Sequence, residues 1–195
     1  MHDRNGFSLL ELILAVAIIG LIALCTVPAF ANYRRRASVT SQATELRSIF
    51  RAVRSRAITR TCHAGVKFTR VGNTWTYSLY DDGDGDGVRS DDIASGIDRR
   101  YAGPSVLMPQ FNIASIALLS RTVRDPDGDL LLPTASAVQF NRSTLCSFAP
   151  TGSGTPGTIY ITDGAEQLFA VRVLGSSGRV RMLRYDAARR RWQQQ

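Results

Sequence analysis

The sequence predicts an α+β fold in which one long amino-terminal helix precedes a small antiparallel β domain. Residues 6–31 are almost all apolar, residues 31–60 carry apolar side chains every three or four positions, and from Ala64 the apolar period shortens to two. These patterns are typical of a hydrophobic helix, an amphipathic helix and half-buried β-strands. A chain of 195 residues has room for one such domain and an appended segment.

The apolar run at the amino terminus is long enough to cross a membrane. At about 1.5 Å of rise per residue, about twenty helical residues span the roughly 30 Å hydrocarbon core of a bilayer. Glu11 is the only charged residue in the run, and Cys25 is expected to pack there as a small hydrophobic side chain. We therefore expect residues 7–30 to form a hydrophobic helix.

The helix is expected to continue through residues 31–60 with one apolar face. That face consists of Val39, Ala43, Leu46, Phe50, Val53 and Ala57. Spacings of three and four place these side chains on one side of a helix. We predict a single helix from about residue 8 to residue 59, bent near Pro28, whose second half lies on a β-sheet.

Residues 61–186 are expected to form the globular β domain. Alternating patterns predict strands in "GVKFTR", "TWTYSLY", "SAVQFNR", "GTIYIT", "EQLFAVRVL" and "GRVRMLRY". The strands are predicted to be antiparallel because the chain offers no second long helix for parallel crossovers. Residues 111–120 fit either a strand or a short helix, and residues 187–195 form a basic tail.

The order of features at the amino terminus differs from that of a secretory signal. A secretory signal has its small-residue cleavage site after the apolar run, whereas here Gly6 precedes the run and Phe7 begins it. With Glu11 five residues beyond Gly6, "GFSLLELILAVAIIGLIAL" resembles the prepilin signal of type IV pilins and type II secretion pseudopilins. The resemblance implies that a prepilin peptidase removes a leader of residues 1–6 and methylates the new amino terminus at Phe7.

The closing part of the chain resembles one branch of that class. "GTIYITDG" and "FAVRVLGSSGRVRMLRY" are similar to the final strands of the GspH/FimT family of minor pseudopilins and pilins. The resemblance implies a pilin-like fold and a structural subunit that joins other pilins or pseudopilins through its amino-terminal helix. It also implies a single-pass protein of the bacterial inner membrane, with a periplasmic domain, that enters a type IV pilus or a type II secretion pseudopilus.

The resemblance also gives Glu11 a role. A carboxylate in apolar surroundings is costly and usually has a partner. In this class of proteins the equivalent glutamate pairs with the amino terminus of a neighbouring subunit, which here would be Phe7. The alternative is a side chain that extends to the lipid headgroups.

The charges that flank the apolar run favour the opposite orientation. Arg34, Arg35 and Arg36 follow the run, while only Arg4, with His2, precedes it. The positive-inside rule would therefore place the carboxyl-terminal part in the cytoplasm. Because the prepilin-like motif is more specific than a charge bias, we expect the β domain to be periplasmic.

The segment "DDGDGDGVRSDDI" resembles the first half of an EF-hand calcium loop. Its candidate ligands are Asp82, Asp84 and Asp86, with Asp91 and Asp92 as substitutes for the missing glutamate at position twelve, which is Ile93. The segment is either a calcium site or a solvated acidic turn, and no other cofactor is expected. The similar "RDPDGDL" at residues 124–130 is expected to be only a turn.

Basic residues gather near the carboxyl end of a chain whose net charge is +8. In a strand, Arg179 and Arg181 would point to one face about 7 Å apart, near the spacing of successive phosphates in nucleic acid. Further charge comes from Arg184, Arg189, Arg190 and Arg191, and Tyr185 and Trp192 could stack on bases. The Gly178-Arg179-x-Arg181 pattern resembles a motif of FimT-like pilus proteins, which implies DNA as a partner. The alternative is a solubilising surface hairpin followed by a disordered tail.

The cysteines and histidines constrain redox state and catalysis. Cys62 and Cys146 could form one disulfide in an oxidising compartment, or they could remain two separate buried thiols. His63 is the only histidine that remains after removal of the leader. A His-rich metal site is then excluded and a histidine-dependent triad has a single candidate, which argues against an enzyme.

Overall fold

A computed structural model describes residues 8–107, 113–131 and 133–195, apart from the side chains of residues 25 and 27–29. It confirms the α+β class: helix α1, Leu9–Arg60, precedes the strands, and a short helix α2, Ser90–Ser95, lies among them. The strands are β1 (Ala64–Val71), β2 (Thr74–Asp81), β3 (Arg99–Val106), β4 (Val123–Arg124), β5 (Leu130–Leu131), β6 (Val138–Phe140), β7 (Leu145–Phe148), β8 (Gly157–Thr162), β9 (Leu168–Val173), β10 (Val180–Asp186) and β11 (Arg191–Gln194).

Helix α1 begins and ends within one residue of the predicted positions. The Ser8 hydroxyl caps its first turn by accepting a hydrogen bond from the Leu10 N–H at 3.3 Å. At the other end Thr61 takes the left-handed conformation, with φ 52°, and its N–H donates to the carbonyls of Ala57 and Ile58. Local caps therefore define a helix of 52 residues. The bend near Pro28 stays a prediction.

The first half of α1 presents apolar side chains to its surroundings. Every leucine, isoleucine and valine of residues 9–24 is more than half exposed. Among the residues that the structure describes, no helix reaches the length and mean hydropathy of a membrane-crossing segment. Exposed apolar surfaces of this extent in a folded chain are typical of interaction sites.

The second half of α1 is part of the core. All six side chains of the predicted apolar face are fully buried, and the helix contacts strands of both large sheets. Phe50 lies at the centre, with ring centroids 5.7 to 6.4 Å from those of Phe68, Phe140 and Phe148 in edge-on arrangements. The amphipathic pattern thus determines where the β domain attaches.

The β domain contains two large sheets, and their strands are antiparallel, as predicted. One has the strand order β3-β2-β1-β7 and the other β11-β10-β9-β8-β6, while β4 and β5 form a separate two-stranded pair. One face of the five-stranded sheet packs against the core that contains the second half of α1. On its other face Tyr160, Leu168 and Tyr185 pack with Leu119 and Leu131 in a second core cluster. This sheet is therefore buried on both sides.

Some elements differ from the prediction. The predicted strands correspond to β1, β2, β6, β8, β9 and β10, but β3, β7, β11 and the two-residue strands β4 and β5 were not predicted. Strand β3 is exposed and contains glycine and proline, β7 has four residues, and β11 is polar, so none shows a clear alternating pattern. Part of the predicted basic tail forms strand β11, which pairs with β10. Residues 113–120 form neither a strand nor a helix, and residues 111 and 112 lie outside the described residues.

Candidate functional site

The amino-terminal motif is described only from Ser8 onward. Gly6 and Phe7 lie outside the described residues, so cleavage and methylation there stay predictions. Glu11 is exposed in the first turn of α1, three residues after the cap Ser8. This is the spacing of a capping box, in which a glutamate supports the first turn, and a carboxylate there also favours the helix dipole. Glu11 therefore has a local stabilising role available besides the predicted assembly contact.

The acidic loop, residues 82–92, brings together three of its predicted ligands. Carboxylate oxygens of Asp82, Asp84 and Asp86 lie within 4.8 Å of one another. The Asp82 side chain is 1% exposed and accepts backbone N–H bonds from Asp84, Gly85 and Gly87 at 2.8 to 3.1 Å. Burial tends to raise the pKa of Asp82, but these hydrogen bonds and nearby His63 hold that pKa below its usual value. The Asp82 carboxylate thus stabilises the loop by binding its backbone N–H groups.

The other predicted ligands do not join this group. Asp91 and Asp92 lie in α2, and they are not part of the converging carboxylates found among the described residues. Asp98, which the spacing did not suggest, is buried and accepts the N–H groups of Gly83 at 3.2 Å and Arg89 at 2.8 Å. Calcium binding by the loop stays a prediction, with Asp82, Asp84 and Asp86 as its ligands.

The second acidic segment is a turn, as predicted. One carboxylate oxygen of Asp125 accepts the N–H groups of Asp127 and Asp129, both at 2.9 Å. Asp127 in turn forms a two-point ion pair with Arg172 of β9, at 2.5 and 2.8 Å. The turn is therefore fastened to the five-stranded sheet.

The arginines at the carboxyl end do not form one group. Strand β10 begins at Val180, so Arg181 lies in the strand, while Arg179 lies one residue before it and its carbonyl accepts the Leu174 N–H at 2.9 Å. The spacing predicted for the two side chains stays a prediction. Both side chains are exposed. Arg181 lies opposite Arg172 on the neighbouring strand, but Arg172 is neutralised by Asp127. Among the residues that the structure describes, Arg181 forms no ion pair.

The remaining predicted arginines lie further along the chain: at about 3.3 Å per residue, Arg184 is about 10 Å from Arg181 along β10, and the other three follow the end of that strand. Arg184 is half-buried within the strand, and Arg189 lies 3.5 Å from the Asp186 carboxylate. Arg190 takes a left-handed conformation with φ 51° in the turn before β11, and Arg191 begins that strand. The sequence placed Arg189, Arg190 and Arg191 near Arg179, and the length of β10 separates them from it.

The two aromatic residues predicted to stack on bases belong to the second core cluster. Tyr185 is 9% exposed, and its ring centroid lies 5.3 Å from that of Trp192. The Trp192 indole N–H donates to the Arg124 carbonyl at 2.8 Å. Packing and hydrogen bonding thus use these rings inside the domain, and the predicted stacking surface is not formed.

The structure explains why position 178, the first of the Gly-Arg-x-Arg pattern, is a glycine. Gly178 has φ 58°, and a Cβ atom there would lie 2.1 Å from the Gly152 carbonyl oxygen. The Arg54 side chain of α1 links the same two segments, because it donates hydrogen bonds to the carbonyls of Gly152 at 2.9 Å and Ser177 at 3.2 Å. Arg54 lies beside the apolar face in the sequence pattern, and only the fold reveals its partners.

The structure has two separate thiols in place of the predicted disulfide. Cys62 and Cys146 are both free. Cys146 is fully buried in β7 opposite Val66 of β1, whereas Cys62 follows the end of α1, four residues before Val66. Burial raises the pKa of the Cys146 thiol. The neighbouring His63 ring lies 3.1 Å from Asp82 and helps to hold the acidic loop.

Two family models match the chain. One, described as a prokaryotic N-terminal methylation motif, matches residues 1–24. The other, described as type II transport protein GspH, matches residues 42–179. Comparison with curated proteins gives no match, and comparison with solved structures gives none either. The two matched ranges cover the amino-terminal motif, the buried half of α1 and most of the β domain.

Proposed function

Because the chain belongs to the GspH family of type II transport proteins, we propose that it is a structural, non-catalytic subunit of a filament. The family and the methylation motif identify a minor pseudopilin or pilin of type II secretion or type IV pili. One observation carries this function: a single helix joins the methylation motif to the GspH region, with its first half exposed and apolar and its second half buried in the β domain.

In this proposal the chain matures in the inner membrane. A prepilin peptidase cuts after Gly6 and methylates Phe7, and residues 7–30 cross the membrane once with the β domain in the periplasm. The match of residues 1–24 to a methylation motif supports the processing step. The apolar surface of α1 supports the insertion, because a hydrocarbon environment would cover it.

Assembly then uses the same apolar surface. Neighbouring pilins or pseudopilins pack against residues 7–30, and the Glu11 carboxylate pairs with the Phe7 amine of the next subunit. Removing one partner of an ion pair in apolar surroundings is costly, because the other charge is left without compensation. Glu11 would therefore set the register between subunits.

Two substitutions at Glu11 test the assembly step in the full chain. Glu11→Ala removes the charge and the capping glutamate, whereas Glu11→Gln removes only the charge, since glutamine also serves in a capping box. We expect both variants to enter membranes and lose their leader normally, and both to be absent from the filament fraction obtained by shearing. Incorporation of Glu11→Gln at the wild-type level would assign Glu11 to capping alone and would contradict the pairing.

A second candidate function is DNA binding at a pilus. It is favoured by Arg179 and Arg181, which are exposed and whose guanidinium groups pair with no acidic residue in the described part of the chain. Double substitution to Gln should abolish a salt-sensitive mobility shift of DNA. Arg99→Gln with Arg100→Gln is the matched control, because this exposed pair at the start of β3 removes the same charge elsewhere. An equal loss in both variants would show only a general effect of charge.

Deletion of the gene distinguishes a role in the type II secretion pseudopilus from a role in a type IV pilus. Loss of protein secretion with normal DNA uptake would indicate the secretion pseudopilus. Loss of DNA uptake with normal secretion would indicate the pilus, and in that case the Arg179 and Arg181 variant should reproduce the defect.

A further inference from the structure

A cleft of about 540 Å³ opens between helix α1 and the turn that joins β8 to β9. Its charged lining residues are Arg35 and Arg36 on the helix and Asp163 and Glu166 on the turn, and Tyr33 lines it beside the two arginines. The volume lies in the range of small-molecule sites. We refer to this feature as the helix–turn cleft.

The helix–turn cleft carries equal numbers of opposite charges on its two sides. The helix side has the guanidinium groups of Arg35 and Arg36, and the turn side has the carboxylates of Asp163 and Glu166. In the part of the chain that the structure describes, none of these four groups forms an ion pair. A ligand that satisfies both sides is therefore a zwitterion, with its anionic group at the arginines and its cationic group at the carboxylates.

The turn side of the cleft is ordered by its own hydrogen bonds. One carboxylate oxygen of Asp163 accepts the N–H groups of Ala165, Glu166 and Gln167 at 2.9 to 3.0 Å. The Thr162 hydroxyl donates to the Gln167 carbonyl at 2.8 Å. These bonds use the backbone of Glu166 and not its exposed side chain. The acidic side is therefore formed before a ligand binds, which lowers the cost of binding.

The helix side of the cleft lies at the depth of lipid headgroups when residues 7–30 cross the membrane. At about 1.5 Å per residue, Asn32 to Arg36 lie about 3 to 9 Å beyond residue 30. The headgroup layer on each side of the hydrocarbon core is about 5 to 7 Å thick. The arginines that line the cleft therefore reach the layer that contains the lipid phosphates.

Two features of this part of α1 suit a membrane interface. Tyr33 is 69% exposed, and tyrosine is enriched where a membrane meets water, because its ring is apolar and its hydroxyl polar. Arg34, Arg35 and Arg36 are exposed too, and their place on the periplasmic side is contrary to the positive-inside rule. Lipid phosphates explain this placement, since arginine binds phosphate with two parallel hydrogen bonds.

We propose that the helix–turn cleft binds the headgroup of a zwitterionic phospholipid, phosphatidylethanolamine. The phosphate accepts hydrogen bonds from Arg35 and Arg36, and the primary ammonium group donates to Asp163 and Glu166. The proposal rests on the proposed function, because it requires that residues 7–30 are inserted in the membrane. The bound headgroup holds the β domain close to the membrane surface before the subunit is assembled.

The chemistry of the cleft distinguishes among phospholipids. Phosphatidylglycerol offers the same phosphate but no cation, so the two carboxylates would keep no partner. Phosphatidylcholine has a cation whose methyl groups leave no N–H to donate. Phosphatidylethanolamine alone of these three satisfies both sides of the cleft with hydrogen bonds to charged groups, which are the strong ones.

The test measures which lipid the full chain retains. The detergent-purified full chain would be placed in nanodiscs of equal parts of the three phospholipids, with identical acyl chains. Lipids that stay bound after release into detergent would be counted by native mass spectrometry. We expect phosphatidylethanolamine to be enriched over phosphatidylglycerol about threefold, since an exposed charge pair contributes at most about fivefold in affinity.

Substitutions on the two sides of the cleft should give different results. Arg35→Gln with Arg36→Gln should reduce retention of both lipids, because both carry the phosphate. Glu166→Gln should remove the enrichment of phosphatidylethanolamine and leave retention of phosphatidylglycerol intact, because only the ammonium loses a partner. Arg99→Gln with Arg100→Gln is the matched control, since it removes an exposed pair of arginines outside the cleft, and it should retain lipids as the wild type does.

Each result decides the proposal. Equal retention of the three lipids by the wild-type chain, or an enrichment that Glu166→Gln leaves unchanged, would overturn it. Preference for phosphatidylglycerol that depends on Arg35 and Arg36 would overturn it in favour of a simple electrostatic contact with anionic lipid. A chain that does not comigrate with nanodiscs would contradict membrane insertion, and with it both the proposal and this part of the proposed function. Leader cleavage and filament incorporation, followed in cells, test the proposed function separately.

Discussion

Replacing Phe50 with alanine is expected to lower the free energy of unfolding of the β domain by about 4 kcal/mol. The side chain is fully buried, and Phe→Ala substitutions in cores cost about 3–5 kcal/mol. The upper part of that range applies because Phe50 contacts three aromatic rings, and each such pair contributes about 0.5–1.5 kcal/mol. At about 1.4 kcal/mol per tenfold, the folding equilibrium would shift about 700-fold.

The measurement is urea unfolding of a soluble fragment, residues 35–195, followed by circular dichroism. Val71→Ala is the control, because Val71 is 61% exposed at the end of β1. A surface change of this kind should stay within about 0.5 kcal/mol. A loss below about 1.5 kcal/mol for Phe50→Ala, with an unchanged dependence on urea, would refute the conclusion that the second half of α1 is a central part of the core.

Three further predictions concern the β domain. Gly178→Ala should destabilise it more than Gly72→Ala by about 1–3 kcal/mol, because both glycines have φ near +60° but only Gly178 has a carbonyl where the Cβ would lie; equal losses in urea unfolding would contradict this. Stability should fall as the pH drops below about 4, because Asp82 has a lower pKa in the folded state than in the unfolded chain. The contribution of Asp82 to the free energy of unfolding is complete at pH values above its unfolded pKa and is lost as the pH falls through its folded pKa. Asp82→Asn should therefore flatten this part of the pH profile, and an unchanged profile would contradict the role of Asp82. Iodoacetamide should label Cys62 but not Cys146 in the native protein, and a reductant should leave the unfolding midpoint unchanged, whereas a reductant-sensitive midpoint would indicate a disulfide.

The helix was predictable because its two halves have strong and different patterns. A continuous apolar run followed by apolar residues at spacings of three and four predicts one long helix. Its caps, Ser8 and Thr61, lie near the expected ends. The six side chains that are fully buried in the second half of the helix are the six of the predicted apolar face. Most paired strands followed from alternation for the same reason. Strand β11 did not, because a polar strand depends on its neighbour for stability.

The candidate sites were less predictable because they depend on how the chain turns. Proximity in sequence suggested that Arg179 and Arg190 act together, but β10 runs between them and separates them. Likewise, Arg121 and Arg190 are distant in sequence and share one cleft only through folding. Alternation did place the carboxylates of Asp82, Asp84 and Asp86 together, since that arrangement is local. Asp98 completes the loop from a position no local pattern marks.

If this chain is a processed filament subunit, the mass of its amino-terminal peptide reveals the processing. The protein would be isolated from membranes of cells with and without the prepilin peptidase, and its amino-terminal peptide identified by mass spectrometry. We predict a peptide that begins at Phe7 and carries one methyl group on its amine in the first case, and an uncut peptide that includes residues 1–6 in the second. A chain that keeps its leader in the presence of the peptidase, or begins at another residue, would show that this protein is not processed as a prepilin.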